Sequence, residues 1–100
     1  MPNGPWKRPA DDGEAMVLAL EHPLRRDLLK AYGEGVCSPT ELAQQFGEEL
    51  QVVAFHSRTL NFYGAIELVE TRPSRGSIQH FYVASELGRR TLDGGQAQPG

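Results

Sequence analysis

The stretch Ser38-Pro39-Thr40-Glu41-Leu42-Ala43-Gln44-Gln45-Phe46-Gly47 reads as a short helix with a marked start and a marked stop. Ser38 and Glu41 have the spacing of a capping box. The serine hydroxyl accepts from the Glu41 N–H, and the Glu41 carboxylate accepts from the Ser38 N–H. Pro39 suits the first helical position, where its missing N–H is no loss. Leu42, Ala43 and Phe46 share one side, and Gly47 makes the turn. A second helix is expected from about 49 to 63. Its inner side carries Leu50, Val53, Ser57, Leu60 and Gly64, its outer side Gln51, Phe55 and Arg58, with Val52, Ala54 and Asn61 at the flanks. Two short helices joined by a tight turn form a helix-turn-helix.

Two β-like runs follow, 66–72 and 77–83, split by the turn Pro73-Ser74-Arg75-Gly76. A helix pair followed by a hairpin is a winged helix-turn-helix, mainly α with a small β-hairpin (α+β). Upstream, Asp12 is expected to cap a helix over 13–21 that carries Met16, Val17 and Leu20 inward. Pro23 opens another helix, with Leu24, Leu28 and Leu29 on one face and Arg25, Arg26 and Lys30 outward; Gly33 and Gly35 end it. Val36 and Cys37 resemble a short strand. Ser85 is placed to cap a last helix over 86–92. The expected organisation is one domain over 12–92, with flexible tails at 1–11 and 93–100, where Pro, Gly and polar residues concentrate.

Composition is that of an ordinary globular chain, with a net charge of −3. The charge is uneven: residues 34–71 set Arg58 against six glutamates, whereas residues 72–100 carry four arginines against Glu86 and Asp93. Cations for phosphate therefore have to come from a few arginines near the wing. The longest apolar run, 15–20, is too short to span a bilayer, and the first eight residues lack the apolar core of a signal peptide. The single cysteine, Cys37, excludes an intrachain disulfide. A cytoplasmic location fits these features.

With those elements in place, the sequence resembles the ArsR-type winged-helix regulators. The likeness rests on His22-Pro23-Leu24-Arg25, on the helix opened by Ser38-Pro39-Thr40-Glu41-Leu42-Ala43, and on His56, Leu60 and Gly64 at steps of four. The wing, Arg72-Pro73-Ser74-Arg75-Gly76 with His80-Phe81-Tyr82, is similar to a branch common in actinobacteria. The resemblance covers roughly residues 21–84. It implies a transcriptional regulator that binds double-stranded DNA as a homodimer, with the fourth helix on bases and the wing on backbone or minor groove. The chain departs from the pattern at Leu50, Val52 and Phe55, where many members carry polar or basic side chains, and in the acidic pair Glu48-Glu49.

The expected DNA-binding set is Gln51, Phe55, Arg58, Arg72 and Arg75. Arg58 can fork onto guanine, Gln51 can pair with adenine, and Phe55 can touch a thymine methyl. Arg72 and Arg75 concentrate charge at the wing tip. Dimerisation is expected through Met16, Val17, Leu20, Leu87 and Leu92, and action through occlusion of a promoter. His56 reads as a packed, hydrogen-bonded residue. No metal site or cofactor is expected: Cys37 stands alone, and His22, His56 and His80 have no ligand spacing. A low-pKa sensing thiol at Cys37 is the less favoured reading than a small buried cysteine. No nucleophile elbow or phosphate loop points to an enzyme. The competing class is a winged helix used for protein–protein interaction or dimerisation, supported by the acidic middle and the apolar fourth helix.

Overall fold

The computed structural model describes residues 7–96, with no account of the side chains of 95 and 96. Five helices and one hairpin follow in the order α1 (Asp12–Ala19), α2 (Pro23–Glu34), α3 (Pro39–Phe46), α4 (Leu50–Phe62), β1 (Ile66–Ser74), β2 (Ser77–Ala84) and α5 (Glu86–Gln96). Residues 1–6 and 97–100 of the expected tails lie outside the described residues.

The capping box forms as read: Glu41 N–H donates to Ser38 Oγ at 3.2 Å, and Ser38 N–H donates to Glu41 Oε1 at 2.9 Å. Gly47 closes α3 in the left-handed region, φ 66°, where a side chain would be strained. The chain therefore turns sharply into α4. Tyr32, Leu28, Leu29, Leu42, Val53, Leu60 and Ile66 form the centre of the core, joined by Ala15, Ala19 and Tyr82. Tyr32 is fully buried, and its hydroxyl shares a 2.8 Å hydrogen bond with Ser57. That bond ties α2 to the inner side of α4.

Several boundaries and orientations differ from the sequence expectation. Asp11, not Asp12, caps α1 by accepting from Glu14 N–H. Helix α1 stops at Ala19 because arginines of α2 take its last carbonyls. Arg25 Nε donates to Ala19 O at 2.7 Å, and Arg26 Nη1 donates to Leu20 O at 2.7 Å. Arg25 is thus partly buried rather than outward, while Arg26 is exposed as read; both satisfy helix-end acceptors of α1. Leu50, expected inward, is 49% exposed. It sits at the first position of α4, before the helix has descended onto the core. The expected strand at Val36-Cys37 is a single bridge, Cys37 to Tyr82. Ser85 does cap α5, accepting from Gly88 N–H at 3.0 Å, but α5 continues to Gln96, past the expected end at Leu92. Before α1 the chain is not loose throughout. Arg8 pairs with Asp12 at 3.1 Å, and its guanidinium lies 2.8 Å from where a Cβ on Gly64 would stand.

The hairpin is longer, and its turn tighter, than read. The strands run to Ser74 and from Ser77, leaving only Arg75 and Gly76 between them. Both have positive φ, 49° and 83°, the two-residue turn whose twist suits a hairpin. Pro73 lies inside β1, on the outer strand of a two-stranded sheet, where a missing donor is tolerated.

Candidate nucleic-acid interface

The outer side of α4 is open. Gln51, Phe55 and Arg58 are all exposed, Phe55 to 38%, while Val53, His56, Ser57, Thr59 and Leu60 are buried beneath them. The helical period thus brings the three expected contact residues onto one surface stripe. Phe62, seven residues after Phe55, continues it.

A bulge at Val69 decides which face of the hairpin each side chain takes. The register steps from Leu68–Tyr82 to Glu70–Phe81, leaving Val69 without a partner. Leu68, Tyr82, His80 and Ile78 therefore share one face, and Glu70, Arg72 and Phe81 the other. The first face turns toward α4. Arg58, Asn61, Phe62, Leu68, His80 and Tyr82 line a cleft of about 340 Å³ between helix and hairpin.

Arg72, expected as a free wing cation, is not free. It forms an ion pair with Glu70, its Nε donating to Glu70 Oε2 at 2.7 Å, and its guanidinium stands 4.4 Å from the centre of the Phe81 ring. Arg75 at the tip makes no ion pair among the described residues. Among the described residues, Arg58 and Arg75 are accordingly the cations of the α4–wing surface without an ion pair, whereas Arg72 has one. Glu48 and Glu49 are exposed at the start of α4.

The dimerisation set separates. Met16 is 4% exposed and belongs to the core, whereas Val17, one residue on, is 67% exposed. Met16, Val17, Leu20 and Leu87 line a shallow, mainly apolar groove between α1 and α5. Leu92 lies outside that groove and packs against Gly33 of α2. Cys37 is partly buried, and burial beside Glu41 and Glu34 pushes its thiol up to about 11. A reactive thiolate needs the opposite shift. Among the described residues no three His, Cys, Asp or Glu side chains gather as a metal site. No helix there is long and apolar enough to cross a membrane.

Solved structures share this arrangement. The homodimeric winged helix-turn-helix DNA-binding domain of Mb0332 from Mycobacterium bovis, a possible ArsR-family transcriptional regulator, superposes with a TM-score of 0.69 at 19% identity, covering 87% of this chain and 77% of that one. The fold is a winged helix-turn-helix. NolR from Sinorhizobium fredii matches with a TM-score of 0.67 at 17% identity over 88% of this chain and 84% of its own. HlyU from Vibrio cholerae matches with 0.64 at 19% identity over 87% and 94%. No protein-family model and no curated protein matches the sequence.

Within this winged helix-turn-helix, sequence reading found the α4 stripe and the wing arginines but missed Phe62, Leu68, His80 and Tyr82 as a surface. The alternation His80-x-Tyr82 was a usable signal. The bulge that brings Leu68 onto their face was not, since nothing local to Leu68-Val69-Glu70 marks it.

Proposed function

We propose that the protein is a DNA-binding transcriptional regulator that acts as a homodimer by occluding a promoter. The observation that carries this reading is the joint exposure of Gln51, Phe55 and Arg58 on α4 beside an arginine-tipped wing. A helix of this size fits a major groove, and the wing reaches the flanking backbone or minor groove. Gln51 and Arg58 offer hydrogen bonds to base edges, Phe55 offers a methyl contact, and Arg75 and Arg72 supply charge. The groove of Val17, Leu20 and Leu87 is the surface for a second copy. The similar fold of the Mycobacterium bovis DNA-binding domain, a possible ArsR-family transcriptional regulator, supports the reading. It calls for no cofactor, metal or catalytic step.

Selection of duplexes from a random pool, followed by salt titration, tests it. The expected result is an enriched sequence whose binding weakens steeply with salt, the logarithmic slope growing by about 0.9 for each phosphate contacted. Affinity insensitive to salt contradicts it.

One observation favours a second reading. Leu50 and Phe55 are exposed on α4, and exposed Glu48 and Glu49 immediately precede it, an apolar and acidic surface suited to a protein partner. Charge reversal at Arg58 and Arg75 separates the two. Loss of DNA retention with unchanged oligomer size supports the regulator; no effect on DNA supports the interaction module.

A further inference from the structure

Tyr82 is 5% exposed, so almost all of its ring is packed, against Tyr32 with ring centres 5.8 Å apart. Its hydroxyl has no hydrogen-bond partner among the described residues, yet no buried side-chain polar atom there lacks one. The hydroxyl is therefore what Tyr82 shows to solvent, and the surface it shows belongs to the cleft between α4 and the hairpin. His80 stacks beside it, ring centres 6.3 Å apart and planes 15° from parallel. Arg58 reaches the same cleft from α4. Its positive charge opposes the rise that burial imposes on the Tyr82 phenol.

We infer that this cleft seats one phosphate of the DNA backbone, held by the Tyr82 hydroxyl and the Arg58 guanidinium beside the His80 ring. The inference rests on the regulator reading above and moves Arg58 from base edge to backbone. Three features support it. The Tyr82 hydroxyl faces solvent on a ring that packing holds in place, so it is a fixed donor open to an outside acceptor. A guanidinium and a neutral O–H together match an anionic oxygen, and charge-assisted bonds of this kind are the stronger ones. The cleft also lies between the helix that enters a groove and the wing that flanks it, where a strand of backbone must pass. Leu68 and Phe62 form its apolar walls and face the sugar. Such a contact fixes the height of α4 in the groove without reading sequence.

Tyr82→Phe keeps the ring and its packing against Tyr32, so the variant folds as the parent does. Binding of parent and variant to the selected duplex is measured across a salt series. The measurement is repeated with duplexes in which single phosphates are replaced, one at a time, by neutral methylphosphonate. Tyr82→Phe is expected to bind every unmodified duplex about three- to tenfold more weakly with an unchanged salt slope, since the lost group is neutral and contributes a bond of roughly 1 kcal/mol. Arg58→Gln is expected to lower the slope by about one and to weaken binding similarly across sequences. One methylphosphonate position should weaken the parent more than it weakens Tyr82→Phe, which there loses only the Arg58 contact. If the parent binds DNA and Tyr82→Phe matches it, the seat is wrong and the regulator reading stands. If Arg58→Gln relaxes specificity at one base pair instead, Arg58 reads a base and the seat is again wrong. A parent that binds no duplex overturns both.

Discussion

Arg25 Nη1 stands 3.0 Å from His56 Nδ1, joining the first turn of α2 to the middle of α4. Arginine only donates, so His56 Nδ1 accepts and the neutral imidazole keeps its proton on Nε2. The His22 ring lies 4.3 Å from the His56 ring, centre to centre, while His22 Nδ1 accepts from Leu24 N–H to cap α2. The His22-Pro23-Leu24-Arg25 motif is thus a joint: a cap, a helix-starting proline, and a guanidinium shared between α1's carbonyls and α4.

This joint makes stability depend on pH. Burial, then His22 and Arg25, hold His56 below the ordinary imidazole range. The unfolded chain therefore binds the proton more readily, and stability rises with pH across the window. The contribution is complete above the unfolded value of about 6.5 and is lost as pH falls through the lower folded value. The melting temperature should drop between pH 7 and pH 5, and His56→Gln should flatten that drop. Arg25→Met should cost about 2 kcal/mol, from charge-assisted bonds lost at a partly buried site. Thermal melts across pH check both.

The wing tip sets conformational strain against charge. Arg75 holds φ 49°, a region costly for most residues that carry a Cβ and easier for asparagine. Arg75→Asn is expected to stabilise the fold by a few tenths to about 1 kcal/mol and to weaken DNA binding. Denaturant titration paired with a binding assay reads the two effects. A variant that gains stability and loses no affinity removes Arg75 from the interface.

Glu70 restrains Arg72. Glu70→Gln releases the guanidinium from its ion pair and takes one negative charge off the wing. Affinity for DNA should rise, with a steeper salt dependence. Because the pair is exposed, folding stability should change by less than about 1 kcal/mol. Tighter binding with an unmoved melting curve is the expected pattern, and an unchanged affinity argues that Arg72 faces away from the duplex.

Val17 is the one strongly exposed apolar side chain of the α1–α5 groove. Val17→Glu should leave the monomer fold intact and abolish dimers, as seen by light scattering after size exclusion. Met16→Glu should unfold the chain instead, because Met16 packs among core residues. Parent protein that runs as a monomer at all concentrations contradicts this use of the groove.

The order of elements was legible in the sequence because each carried its own punctuation: the Ser38–Glu41 box, Pro23, Gly47, Ser85. The open stripe of α4 was legible from periodicity alone. What was not legible depended on contacts between elements. Arg25 looked like a solvent-facing cation, but it is partly buried against α1's last carbonyls and His56. The Arg72–Glu70 pair depends on two residues sharing a strand face, and the Val69 bulge decides which face. Tyr82 entered the sequence reading only as part of the wing motif; packing shows that its ring is buried and that it lines the cleft beside Arg58. The Arg8 guanidinium over Gly64 joins residues more than fifty positions apart, beyond any local pattern.

The central claim is that α4's outer stripe and the neighbouring wing are the surface that meets DNA. An amide chemical-shift titration of the isotope-labelled protein with a pool of random-sequence duplexes at low salt tests it most directly. The account predicts perturbations at Gln51, Phe55, Arg58 and Phe62 and along Arg75 to Tyr82, with α1 and the exposed side of α2 unmoved. Perturbations confined to α1 and α5, or none at all, would contradict it.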